Sequence, residues 1–197
     1  MRYLEPCCYY KQIGELIELC ETDVKNHCVQ FFSNSDWSAS DLLVTFASYA
    51  QDGTLCVAMI HLDVPLIEAI RKILARTYID SKDKSIRHPF IQKMILVTQP
   101  GNDGYTIKQR EEVRSQLGKY IDCGRLTVCE DNIGFRCFLA GNDKHRLVVQ
   151  GSINQQMCHA MQMFTLTATE REYRETLEMF EMKGRMKNIF RRDLYTM

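Results

Sequence analysis

Apolar residues recur along this chain with two periods, one near 2 and one near 3.6, and the two alternate. In residues 11–25 the positions Ile13, Leu16, Ile17 and Cys20 follow helical spacing and mark one buried face. Residues 28–32, Cys-Val-Gln-Phe-Phe, then form a candidate strand. Ser38 or Ser40 can cap a helix through Leu42, Leu43, Phe46, Ala47 and Ala50, which Asp52-Gly53 stops. Residues 54–62 are almost continuously apolar, the pattern of a strand covered on both faces. Asp63 is placed to cap the next helix, with Pro65 in the first turn, where a missing N–H costs nothing. Leu66, Ile67, Ile70, Ile73 and Leu74 give that helix its apolar face.

The alternation continues after a polar stretch at residues 79–90, which predicts a loop. Residues 94–97 predict a third strand, and residues 100–104 break the chain with two glycines and a proline. Thr106-x-x-Gln109 has the form of a capping box opening a helix to about Tyr120, ended by Cys123-Gly124. Residues 125–130 predict a fourth strand. A hairpin follows, with arms at 134–140 and 145–150 around the turn Gly141-Asn142-Asp143. Residues 161–166 predict a last strand, and Thr167-x-x-Glu170 a capped final helix carrying Tyr173, Leu177 and Phe180 on one face. Strands alternating with helices predict an α/β fold: a mixed, mainly parallel sheet with helices on both faces, the hairpin supplying its antiparallel part. The expected partition is an N-terminal helical segment (1–27) packed on the domain, an α/β domain (28–182) and a basic C-terminal tail (183–197).

Length and composition narrow the class. A chain of 197 residues with 45% hydrophobic content can bury the core of one domain. Lys and Arg total 25, as do Asp and Glu, so no global field draws in a polyanion or an anionic membrane, and such binding would need a local patch. No run of about 18 apolar residues predicts a membrane span. The start, Met1-Arg2-Tyr3-Leu4-Glu5-Pro6, lacks the charged head, apolar stretch and cleavage site of a secretory signal, so a cytoplasmic protein is expected. The nine cysteines, at 7, 8, 20, 28, 56, 123, 129, 137 and 158, include no Cys-x-x-Cys pair, and Cys56 and Cys129 lie in apolar strand segments. Free thiols are expected, with no zinc site, other metal or cofactor.

Few segments carry chemistry. No Gly-rich phosphate loop is present; Gly101-Asn102-Asp103-Gly104 lacks the lysine and third glycine and predicts a turn. No Gly-x-Ser-x-Gly elbow occurs. Gly151-Ser152-Ile153-Asn154, however, stands directly after the strand ending at Gln150 and before a strand and a helix. This arrangement resembles the C-terminal part of a phospholipase D-like domain, in which a hairpin bearing His-x-Lys-x4-Asp precedes Gly-Ser-x-Asn, a strand and a closing helix. The resemblance covers residues 28–180. In that family a histidine attacks phosphorus while lysine, serine and asparagine hold the phosphate oxygens. Counted back without gaps from Asn154, the His, Lys and Asp slots hold Cys137, Leu139 and Lys144; with a hairpin two residues longer they hold Phe135, Cys137 and Asn142. Neither register restores the nucleophile or the lysine, so the resemblance implies no catalytic residue. It leaves Ser152 and Asn154 as phosphate ligands, with the hairpin cations Lys144 and Arg146 as further candidates. It also implies nucleic acid as the partner class, and a homodimer, because family members build one site from two motif copies.

Three functional readings stand. The first is a degenerate, inactive phospholipase D-like module that binds or scaffolds. The second is an active phosphodiesterase or nuclease in which His145, flanked by Lys144 and Arg146, or His159, close to Gly-Ser-x-Asn, replaces the usual nucleophile. The third is an unrelated α/β protein-interaction domain. The tail cations Lys183, Arg185, Lys187, Arg191 and Arg192, interleaved with Phe190 and Tyr195, have the composition of a segment that tracks a nucleic-acid backbone. The same cations also suit the negative end of a solvated helix.

Overall fold

The computed structural model describes residues 2–4, 9–22, 27–33, 39–59, 62–76, 89–100, 105–132, 136–151 and 162–190. Along them run β1 (Arg2–Leu4), α1 (Tyr9–Thr22), β2 (Cys28–Ser33), α2 (Ala39–Tyr49), β3 (Thr54–Met59), α3 (Val64–Ala75) and β4 (Lys93–Thr98). They continue with α4 (Tyr105–Asp122), β5 (Leu126–Glu130), β6 (Arg136–Gly141), β7 (Arg146–Gly151), β8 (Gln162–Thr167) and α5 (Glu170–Met186). All eight strands join one sheet in the order β1-β2-β8-β7-β6-β3-β4-β5.

The sheet is mixed, but the parallel majority expected from the alternating pattern is not there. Three of its seven pairings are parallel, β1/β2, β3/β4 and β4/β5; the other four are antiparallel. The reason lies in the hairpin. β6 and β7 are joined by a short turn and must run antiparallel, and they sit in the middle of the sheet, between β3 and β8. β8 then returns antiparallel to β7 and pairs antiparallel again with β2 on its other side.

Side chains alternate from β3 into two clusters. Leu55, Val57 and Met59 enter the larger one, with Ile13, Leu16, Ile17 and Cys20 of α1, Leu43 of α2, Ile70 of α3 and Leu117 of α4. Cys56 and Ala58 enter the smaller one, with Cys137, Leu139, Val148 and the fully buried Phe180 of α5. The N-terminal segment therefore contributes directly to the main core, and α5 runs unbroken across residue 182.

The caps show where local signals held and where pairing overrode them. Asp63 Oδ1 accepts from the Leu66 N–H at 2.9 Å, as its position before Val64-Pro65 requires. For α5 the cap is Thr169, whose hydroxyl accepts from the Glu172 N–H at 3.2 Å, not Thr167. Thr167 is the last residue of β8, and its hydroxyl donates to the Val148 carbonyl. Thr106 falls inside α4 rather than at its cap, and Gln109 donates instead to the Leu62 carbonyl at 2.9 Å. β1 is three residues long and carries no readable period; only its pairing with β2 defines it.

Candidate functional site

The register fixes which residues can meet. Met59, Thr98 and Glu130 end the parallel trio at one edge of the sheet, and Gly151 ends β7 at the same edge, opposite Arg136 of β6 and Phe164 of β8. Such a carboxyl edge is where α/β sheets present loops to ligands. Gly151 has no room for a side chain: a Cβ there would collide with the Met163 carbonyl and the Phe164 ring. Ser152, Asn154 and His159 lie outside the described residues, as do Phe135 and His61, so Gly151 alone marks where the Gly-Ser-x-Asn segment leaves the sheet.

The His and Lys slots counted without gaps are apolar in place as well as in sequence. Cys137 and Leu139 are both 0% exposed, in the cluster under α5. Burial pushes the Cys137 thiol up to about 12, which keeps it protonated and unreactive near neutrality. In the alternative register Asn142 is committed to the turn. Its amide donates to the Tyr49 and Gln51 carbonyls at 2.9 and 3.1 Å, and its Oδ1 accepts from the Lys144 and His145 N–H groups.

His145, Lys144 and Arg146 occupy the other end of the hairpin. His145 is six residues of extended chain from Gly151, about 20 Å at the usual strand rise. No side chain crosses that distance, so these three residues do not converge on the Gly151 edge. The His145 ring has its own partners: Nδ1 lies 2.6 Å from Glu21 Oε1 of α1, and the Tyr49 ring stands edge-on at 5.6 Å. Glu21 and Tyr49 were not singled out from sequence, because 124 positions separate Glu21 from His145. Around them opens a polar cavity of about 650 Å³, lined among others by Ser48, Tyr49, Asn142, His145 and Tyr173. Its floor is closely packed: a Cβ on Gly53 would strike the Gly141 carbonyl, and one on Gly141 would strike the Tyr173 ring.

Arg136 is a residue that sequence reasoning passed over. It begins β6, pairs with Gly151 and is half-buried, and burial holds its guanidinium below its ordinary value. Among the described residues no carboxylate forms an ion pair with it. The signal that would have found it is the hairpin register, which fixes position 136 opposite 151.

The basic tail is divided. Lys183 pairs with the Asp131 carboxylate, and that pairing holds Asp131 below the usual carboxylate range. Arg185 and Lys187 are exposed; Arg191 and Arg192 lie outside the described residues. Beyond α5 the chain turns onto the sheet, where Asn188 bridges to Cys129. His27 has Nδ1 2.7 Å from the Cys20 carbonyl, a structural contact.

The described cysteines carry free thiols, with Cys20, Cys56, Cys129 and Cys137 buried and Cys28 and Cys123 exposed. Cys7, Cys8 and Cys158 lie outside the described residues. Among the described residues no cluster of His, Cys, Asp and Glu has the grouping of a metal site, and no helix is long and apolar enough to cross a membrane.

No family model and no curated protein matches the chain. Among solved structures, NucT from Helicobacter pylori aligns with 82% of this chain and 98% of its own, at 12% identity and a TM-score of 0.49.

Proposed function

We propose that the chain is a non-catalytic phospholipase D-like module that binds or scaffolds, with a phosphate-bearing ligand of the nucleic-acid class held at the carboxyl edge of the sheet. One observation carries the reading: counted without gaps, the two positions where the resemblance calls for histidine and lysine hold Cys137 and Leu139, both sealed under α5. Neither group can attack phosphorus or bear positive charge there. The order of elements from β6 onward, a hairpin, a glycine at the strand end, a further strand and a closing helix, supports the same comparison. Ser152 and Asn154 are the proposed phosphate ligands, and Arg136, opposite Gly151, adds a cation at the same end of the sheet. A homodimer belongs to this reading and is checked by sedimentation.

The test is hydrolysis of a chromogenic phosphodiester and of single- and double-stranded DNA, with and without divalent metal. No turnover above a buffer blank is the expected outcome. Turnover that persists through purification and vanishes in His145→Ala overturns the proposal in favour of a phosphodiesterase working at the hairpin end.

A further inference from the structure

β5 ends the strand order, so among the described residues one of its sides meets no other strand of the sheet. That side is nevertheless occupied. Asn188 forms an antiparallel bridge with Cys129, the Glu130 N–H donates to the Lys187 carbonyl at 3.2 Å, and the Ile189 N–H donates to the Val128 carbonyl at 3.0 Å. Ile189 sits with Leu62, Thr98, Val113 and Val128 around a crevice between β5 and α4, and the space left there is about 10 Å³, roughly that of one water. The segment thus docks as a strand-addition ligand does: main-chain hydrogen bonds to an edge, and an apolar side chain in a pocket.

Its hold is slight. α5 stops at Met186, which is 70% exposed, and residues 187–190 attach to β5 through those two main-chain bonds. Ile189 and Phe190 pack on the rim of the core without being fully buried. Short, half-buried segments of this kind open locally without unfolding the domain.

We propose that the edge of β5 is an acceptor site for an extended peptide carrying an aliphatic residue in the Ile189 position, and that residues 187–190 occupy it in cis. The occupant in trans is a partner segment that pairs antiparallel with residues 128–130 and fills the α4–β5 crevice. This site is separate from Gly151 and does not depend on the phospholipase D-like reading. The cis segment also shields an edge that would otherwise template aggregation.

The probe is a fluorescent peptide with the sequence of residues 183–190, offered to the full chain and to its Ile189→Asp variant. A tethered segment competes at an effective concentration of the order of millimolar, so the variant should bind the peptide at least about tenfold more tightly than the parent chain. Hydrogen exchange should show the Glu130 amide losing protection in the variant and regaining it with peptide. A peptide with aspartate in the isoleucine position should do neither. The proposal is overturned if Glu130 stays protected in the variant, or if saturating peptide leaves it unprotected. Should Ile189→Asp fail to fold, native-state exchange of the parent chain decides. The Glu130 and Ile189 amides should exchange by local opening, nearly independent of denaturant, and exchange only through global unfolding together with Val97 sinks the idea.

Discussion

Single side chains show where sequence is decisive and where it is ambiguous. Asp63 was legible as a cap because it precedes a proline in the first turn and has no competitor nearby. The cap of α5 was not, because two boxes overlap, Thr167-x-x-Glu170 and Thr169-x-x-Glu172, and both fit the rule. Pairing of Thr167 with Cys28 across β2 and β8 removes the first. Buried thiols give a prediction at this scale. Burial lifts Cys129 and Cys137 to about 12 from an ordinary 9.0. A folded-state value raised above the unfolded one means stability fully present below about pH 9 and lost as pH rises toward 12. Unfolding free energy measured by urea titration should therefore fall between about pH 9 and pH 11. The slope approaches about 1.4 kcal/mol per pH unit for each such thiol. Cys137→Ala should flatten that slope; an unchanged slope would show that the thiol is not shielded from ionising.

Elements were legible where each carries its own period, and arrangement was not. The helices and most strands were recognisable, since their apolar spacing reports a local face. Strand order was hidden, because nothing local in β8 states that it lies between β2 and β7. The same gap concealed the contact between the end of β6 and α5, where Gly141 lies against Tyr173. Gly141→Ala should destabilise the fold by about 1–3 kcal/mol through overpacking. Tyr173→Leu in the same chain should return part of that loss in a double-mutant cycle. Strict additivity of the two changes would mean that the ring yields without cost and the contact does not constrain the helix.

For the whole molecule, charge is balanced in total, and eight of the 25 Lys and Arg are paired among the described residues. Lys72, Arg76, Lys93, Arg110, Arg114, Arg171, Arg174 and Lys183 each meet a carboxylate, which leaves little concentrated positive field. The five-cation tail looked continuous in sequence because Asp131, the partner of Lys183, lies 52 positions away. Duplex DNA binding, measured as log affinity against log salt, should thus have a slope shallower than five tail contacts would give at about −0.9 each. Lys187→Ala should reduce its magnitude by about 0.9, and a slope of zero for the parent chain would remove nucleic acid as the ligand. The candidate site was legible at Gly151, where a strand ends in a recognisable tetrapeptide. It was not legible at Arg136 or Glu21, whose importance comes only from what the fold brings opposite them.

The strand order also bears on time. β2 is separated from β3 by β8, β7 and β6, all made last, so the β1–β2 pair meets its sheet neighbour only after residue 167 has been synthesised. Until then Phe31 lacks the ring of Phe164 that stacks on it at 5.1 Å. The β3–β4–β5 unit, by contrast, pairs parallel strands that follow one another in the chain and can form early. On the ribosome β1, α1 and β2 thus wait with apolar surface uncovered, and β8 is the piece that locks them into the sheet.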